Sequence, residues 1–186
     1  ITSPSPTSKS HPLMFEIGSI SKTFTGLLLA DMVVKNEVNL TDPVEKYLPS
    51  SVTMPSFENR KITLEDLATQ TSGLPSLPLP FNPKDPDNPY ADMTEAQIFG
   101  FLSHYKLTRV PGSKYEYSNL GMGLLGIALS KKAGTSYENL INQRILRWFG
   151  MTNTKVTMTT AEKKYLAVPH NADLERVSPW DIITLA

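Results

Sequence analysis

The sequence predicts a mainly α fold with long irregular connections, on three observations. Apolar residues recur at helical spacing: in residues 19–38, Phe24, Leu27, Leu28, Leu29, Met32, Val33 and Val34 cover most of a helical circumference. Helix-start residues pair repeatedly with glycine stops, as in Ser136 followed by Gly150. Strand candidates are few and short, at residues 13–17, 115–117 and 154–157, and no period repeats along the chain.

Each element follows from local chemistry. The segment 19–38 is apolar nearly all round, which places a helix in the middle of a fold rather than on its surface. Asp42-Pro43 offers an N-cap and a first-turn proline for a short helix ending at Tyr47. Thr63 caps a helix over 64–70, closed by Ser72-Gly73. Thr94 with Gln97 makes a capping box for a helix over 95–105, and Thr159 with Glu162 suggests one more short helix. Residues 120–132 read as a helix stopped by Gly134, and 136–149 as the next. Residues 74–90 carry six prolines and read as a stiff surface connection. The alternative is a polyproline ligand at Pro75 to Pro78, which lacks flanking basic residues apart from Lys84.

Composition excludes several classes. The 186 residues are 40% apolar and 19% charged, as expected of a folded globule. Eighteen basic and eighteen acidic residues cancel without blocks of either sign, which argues against a nucleic-acid partner or an anionic membrane surface. No apolar run is long enough for a membrane-spanning segment. The lack of cysteine removes disulfides, thiolate metal sites and thiol catalysis. His11, His104 and His170 are isolated, so no metal site and no histidine triad is expected.

Two short boxes could carry chemistry. Ser19 and Lys22 stand three apart, on one face of a helix start where free N–H groups favour developing negative charge. A serine needs a base to become a nucleophile, and a lysine serves as one when its surroundings lower its pKa. The second box is Tyr117-Ser118-Asn119: a phenol near a lysine relays protons, and an asparagine amide both donates and accepts. Asn119 equally suits the N-cap of the helix from Leu120. Each box has a decoy, Ser103 with Lys106 and Tyr137 with Asn139. Gly121-Met122-Gly123-Leu124-Leu125-Gly126 matches a dinucleotide fingerprint, but neither a proper preceding strand nor a second strand ending in an acidic residue accompanies it. Those glycines are read instead as sites of close helix packing, and no cofactor is expected.

Residues 15–26 (FEIGSISKTFTG) resemble the active-site stretch of class C β-lactamases, penicillin-binding proteins and family VIII esterases, serine hydrolases of the β-lactamase superfamily. Residues 62–75 (ITLEDLATQTSGLP), Pro111-Gly112, Tyr117-Ser118-Asn119 with Gly126, and Gly150-Met151-Thr152 keep the family's order. The tyrosine box is similar to that of class C enzymes and esterases rather than class A. The resemblance implies an α/β sheet flanked by helices plus a mainly helical domain, with the site between them. It implies Ser19 as the acylated nucleophile with half of the oxyanion hole at its N–H, and Lys22 as principal proton acceptor. It further implies Tyr117 as proton shuttle to the leaving group, and Asn119 as the residue that orients Lys22 and binds the substrate amide. The substrate would be a small amide or ester (a β-lactam, a peptide or an ester), and the location periplasmic or otherwise extracytoplasmic.

The family's third box, K-T-G or H-x-G, does not occur in these residues. The expectation is therefore a helical domain, residues 13–186, carrying the nucleophile helix of a larger fold, with most of the α/β sheet outside it. Residues 1–12 read as a disordered or junction segment, and little or no turnover is expected of this chain alone. Apolar residues near the ends, Ile182, Ile183 and Leu185 among them, predict self-association. The competing reading is a non-catalytic helical binding module that has kept the fold and lost the reaction.

Overall fold

Ten of the fifteen positions of one helix, Asn119–Ala133 (α4 below), are buried, and the rest of the fold is arranged around that helix. The structure is a computed structural model and describes residues 13–80, 82–85, 88 and 90–180. Its order is α1 (Ser21–Val34), a two-stranded antiparallel hairpin β1 (Ser56–Phe57) and β2 (Arg60–Lys61), α2 (Leu64–Ala68), α3 (Glu95–His104), α4, α5 (Tyr137–Ile141) and α6 (Thr160–Lys163). The expected N-terminal junction and the last six residues lie outside the described residues.

α1 begins after a 3₁₀ turn at Gly18–Ile20 and ends at Val34, short of the expected residue 38. Asn36 takes a left-handed conformation (φ 57°), and its N–H and that of Glu37 fold back onto the Val33 and Met32 carbonyls. That closes the helix as a glycine would. α1 buries Leu28, Leu29 and Met32 against the core, while Leu27 and Val34 stay exposed, so it is not covered all round by the described residues.

The segment from Asp42 to Tyr47 forms a 3₁₀ turn, Val44–Tyr47, rather than an α-helix, and Pro43 itself is the extended residue before it. Around Thr63 the cap is stronger than expected: the Thr63 side chain accepts from the Asp66 N–H, and Asp66 accepts in return from Thr63 N at 2.8 Å. The boxes at Thr94–Gln97 and Thr159–Glu162 form as expected. α5 continues as one wide π turn, Asn142–Leu146, tied to the end of α1 by Arg144 between Asp31 (3.1 Å) and Glu37 (2.8 Å).

None of the three expected strands is one. Residues 13–17 make a single parallel bridge, Met14 to Leu166, and residues 115–117 and 154–157 are irregular. The hairpin lies instead at 56–61, where Glu58 and Asn59 both adopt positive φ, the geometry of a two-residue hairpin turn.

α4 packs on α1, α2 and α5. Gly121, Gly123 and Gly126 are all buried, in keeping with close packing rather than a nucleotide loop. At Gly121 the reason is steric: a Cβ would stand 3.2 Å from Ser118 Oγ and 3.4 Å from Ser72 Oγ. The proline-rich connection is docked rather than displayed. Pro78 is buried, and the Pro75 and Ser76 carbonyls accept from Ser118 Oγ (2.7 Å) and Leu120 N (3.0 Å).

Candidate active site

The nucleophile candidate is presented by backbone geometry. Gly18 sits at φ +51° with open space where a side chain would be, so glycine is required there by conformation and not by crowding. The turn it starts leaves Ser19 on an exposed edge, one helical step from Lys22, which is half-buried. Lys22 Nζ donates to Ser19 Oγ at 3.1 Å.

The partner comes from far along the chain. Residues 116–118 are irregular, yet they are fixed by the loop after α2: Glu116 N donates to the Gln70 carbonyl (2.8 Å), and Ser118 N to Gln70 Oε1 (2.6 Å). Gln70 adopts positive φ (62°) to offer both groups. Arg109 pairs with Glu116 at 2.6 Å, and Gly112 N donates to the Thr71 carbonyl at 2.9 Å. At Gly112 (φ +87°) a Cβ would come within 3.2 Å of Asp66 Oδ1, which explains glycine after Pro111. This frame carries Tyr117 to Ser19, where the phenol oxygen lies 2.5 Å from Ser19 Oγ. Lys22 Nζ also stands over the Tyr117 ring, 4.9 Å from its centroid.

The electrostatics follow from these contacts. Burial pushes the Tyr117 phenol up; the hydrogen bonds of Lys22 and Ser19 and the Lys22 charge outweigh it, and the net shift is downward. Tyr117 is therefore easier to ionise than an ordinary tyrosine, although it is 40% exposed.

The structure thus brings Ser19, Lys22 and Tyr117 together. Asn119 is the first residue of α4 rather than its cap. Ser118 is the N-cap, its Oγ accepting from Gly121 N at 2.8 Å, and that frees the asparagine side chain. No motif signals the anchoring role of Gln70, because its contacts with Glu116 and Ser118 join segments more than forty residues apart.

The decoys find other work. Ser103 Oγ donates to the Phe99 carbonyl of its own helix (2.9 Å), and the Tyr137 hydroxyl is bound to Thr25 Oγ1 (2.7 Å). A cleft of about 700 Å³ between the proline-rich loop and α3, floored by Met93 and Phe101, includes none of the candidate residues. Among the described residues no cluster of His, Asp and Glu could hold a metal ion.

The family model described as Beta-lactamase matches residues 11–182. The chain belongs to the beta-lactamase family. It is 34% identical to the D-alanyl-D-alanine-carboxypeptidase/endopeptidase AmpH of Escherichia coli K12, a match covering 82% of this chain and 39% of that protein. Among solved structures it resembles a beta-lactamase/D-alanine carboxypeptidase from Yersinia pestis complexed with citrate (TM-score 0.81, 32% identity, 92% of this chain and 47% of that one). It also resembles a class C beta lactamase (TM-score 0.73, 28% identity, 92% and 45%). The chain therefore spans less than half the length of these relatives. Its mainly helical composition accords with a partial, helical portion of the beta-lactamase fold, and no helix among the described residues is long and apolar enough to cross a membrane.

Proposed function

We propose that this chain carries the nucleophile and proton-transfer groups of a serine hydrolase that works through an acyl-enzyme at Ser19. The observation that supports it is the placement of Ser19 Oγ within hydrogen-bond reach of both Tyr117 (2.5 Å) and Lys22 (3.1 Å). Ser19 Oγ attacks the carbonyl carbon of a small amide or ester, and its proton passes to the Tyr117 oxygen. Lys22 holds a positive charge beside that oxygen and keeps the phenolate accessible. This makes Tyr117 the immediate acceptor, with Lys22 acting on it, a different division of labour from the one implied by resemblance alone.

The tetrahedral intermediate then collapses as the carbon–leaving-group bond breaks. Tyr117 returns its proton to the departing nitrogen or oxygen, and Ser19 is left as an ester. Water attacks that ester with Tyr117 again accepting the proton; the acyl carbon–Oγ bond then breaks, Tyr117 returns the proton to Ser19 Oγ, and the carboxylic acid product leaves. The Ser19 N–H is one donor for the oxyanion, and Asn119 binds the substrate's polar flank. β-lactam, D-alanyl peptide and carboxylic ester substrates all fit this sequence of steps. The helical unit from residue 13 onward supplies these groups, in a protein that works outside the cytoplasm.

Release of p-nitrophenolate from a p-nitrophenyl ester tests the proposal. A burst equal to the concentration of chain, lost in Ser19→Ala, is expected even if later turnover is slow. An equal burst from Ser19→Ala would overturn it by placing the acylated group elsewhere, and no burst from the native chain would overturn it in favour of the binding-module reading.

A further inference from the structure

Gln70 stands where glycine normally ends a helix. α2 closes in a complete left-handed stop: Gln70 N donates to the Leu67 carbonyl (3.3 Å) and Thr71 N to the Asp66 carbonyl (2.8 Å), with Gln70 itself at φ +62°. Glycine takes that conformation at no steric cost, and asparagine tolerates it; glutamine does neither. Backbone strain of this kind persists where surrounding contacts over-determine it, and it clusters at functional sites. Gln70 is also buried, only 7% exposed, so its amide is not placed there for solvent. Its two oxygens instead reach the segment that carries the site phenol. The main-chain carbonyl accepts from Glu116 N (2.8 Å), and Oε1 accepts from Ser118 N (2.6 Å). A single residue thus grips the chain on both sides of Tyr117, whose oxygen lies 2.5 Å from Ser19 Oγ.

We propose that Gln70 is a positioning residue for the reaction at Ser19, its side-chain oxygen holding Tyr117 within hydrogen-bond reach of the serine hydroxyl. The inference rests on the hydrolase reading above. One hydrogen bond at Glu116 would leave the segment free to turn about that point. The second, two residues on, removes that rotation, and with it the freedom of the phenol between them. The bond to Glu116 uses only a carbonyl and is open to any residue; the bond to Ser118 needs a side-chain acceptor of glutamine's reach. That accounts for glutamine at a position whose backbone favours glycine. The base of the clamp is itself fixed, because buried Asp66 completes the cap at Thr63 and the Thr71 carbonyl accepts from Gly112 N at 2.9 Å. The Arg109–Glu116 ion pair ties the segment on one side only, and the Glu116 side chain is 48% exposed, where ion pairs contribute little. A misplacement of about 1 Å is enough to cost a reacting pair much of its rate.

Two variants of the whole chain separate the clamp from the helix end. Gln70→Gly keeps the carbonyl bond to Glu116 and relieves the left-handed backbone, but loses the hold on Ser118. Gln70→Met keeps the bulk of the side chain without the amide oxygen. Acylation of Ser19 by a saturating p-nitrophenyl ester, read by intact mass, should be about 10- to 100-fold slower in both, the scale of a small misplacement of reacting groups. The ester concentration for half-maximal rate should change little. Ultraviolet difference titration, assigned to Tyr117 by its absence from Tyr117→Phe, should move up toward ordinary tyrosine in both, since a phenol released from Ser19 also leaves Lys22. A role confined to ending α2 would lower the melting temperature and leave that titration in place. A native acylation rate in Gln70→Gly, or a Tyr117 titration that it leaves unmoved, overturns the assignment. If native Ser19 is not acylated although the titration moves, the hydrolase reading fails and takes the positioning role with it. If native Ser19 is acylated and both variants match it, only the role of Gln70 fails.

Discussion

At the scale of single residues, an exposed serine is a poor nucleophile, and what changes Ser19 is the pair of groups on its oxygen. The Lys22 charge beside Tyr117 favours the ionised phenol, so the acceptor form of Tyr117 is present at lower pH than in a free tyrosine, whose pKa is about 10. The sign is definite: a lowered pKa means that phenolate increases as pH rises through that lowered value and is lost as pH falls. The acylation rate of Ser19 should therefore climb with pH along a limb centred below the free-tyrosine value. Lys22→Met should move the limb upward, because the charge and hydrogen bond that lower it are gone, and Tyr117→Phe should abolish it, with a rate loss of about 100-fold or more. Ultraviolet difference titration of the phenols checks the same shift without substrate. A limb that stays in place in Lys22→Met would show that Lys22 does not act on Tyr117.

At the scale of elements, the start of α4 does most to place the site. Ser118 caps the helix, binds the Pro75 carbonyl and is held by Gln70, so Tyr117 just before it has little freedom. Gly121→Ala would push a methyl group against Ser118 and Ser72 from 3.2–3.4 Å. Overpacking of this kind costs about 1–3 kcal/mol. A lower melting temperature together with slower Ser19 acylation is expected, and an unchanged melt would contradict the close packing described. The same region shows what a sequence can and cannot convey. Capping boxes at Thr94 and Thr159, and the Ser19–Lys22 pair, were legible because each is a three-residue spacing fixed by helix geometry. Ser118 was overlooked as the cap because Asn119 is equally suited to that role. The end of α1 was overshot because a left-handed Asn36 stops it without any glycine. The hairpin at 56–61 was missed because its strands are two residues long and its turn begins with glutamate.

At the scale of the whole molecule, α1 and the 3₁₀ turn before it present an apolar stripe to solvent. Ile20, Leu27 and Val34 recur every seven residues and are 62%, 44% and 80% exposed, and Trp148 is 83% exposed. Burying such a side chain is worth about 1.5–3 kcal/mol, so a second copy is expected to cover the stripe in solution. Sedimentation velocity should show concentration-dependent association of the native chain that Leu27→Gln/Val34→Gln reduces; a strictly monomeric native chain would contradict it. The stripe also bears on the expectation of a central helix, since a sequence apolar all round a helix reveals how much must be covered but not whether the cover lies within these 186 residues. Everything proposed about chemistry depends on one oxygen atom, and peptide mapping of the chain by tandem mass spectrometry after incubation with benzylpenicillin examines it most directly. The account predicts a single covalent adduct on Ser19, absent from Ser19→Ala and slower to form in Tyr117→Phe; an adduct on another residue, or one that survives Ser19→Ala, would contradict it.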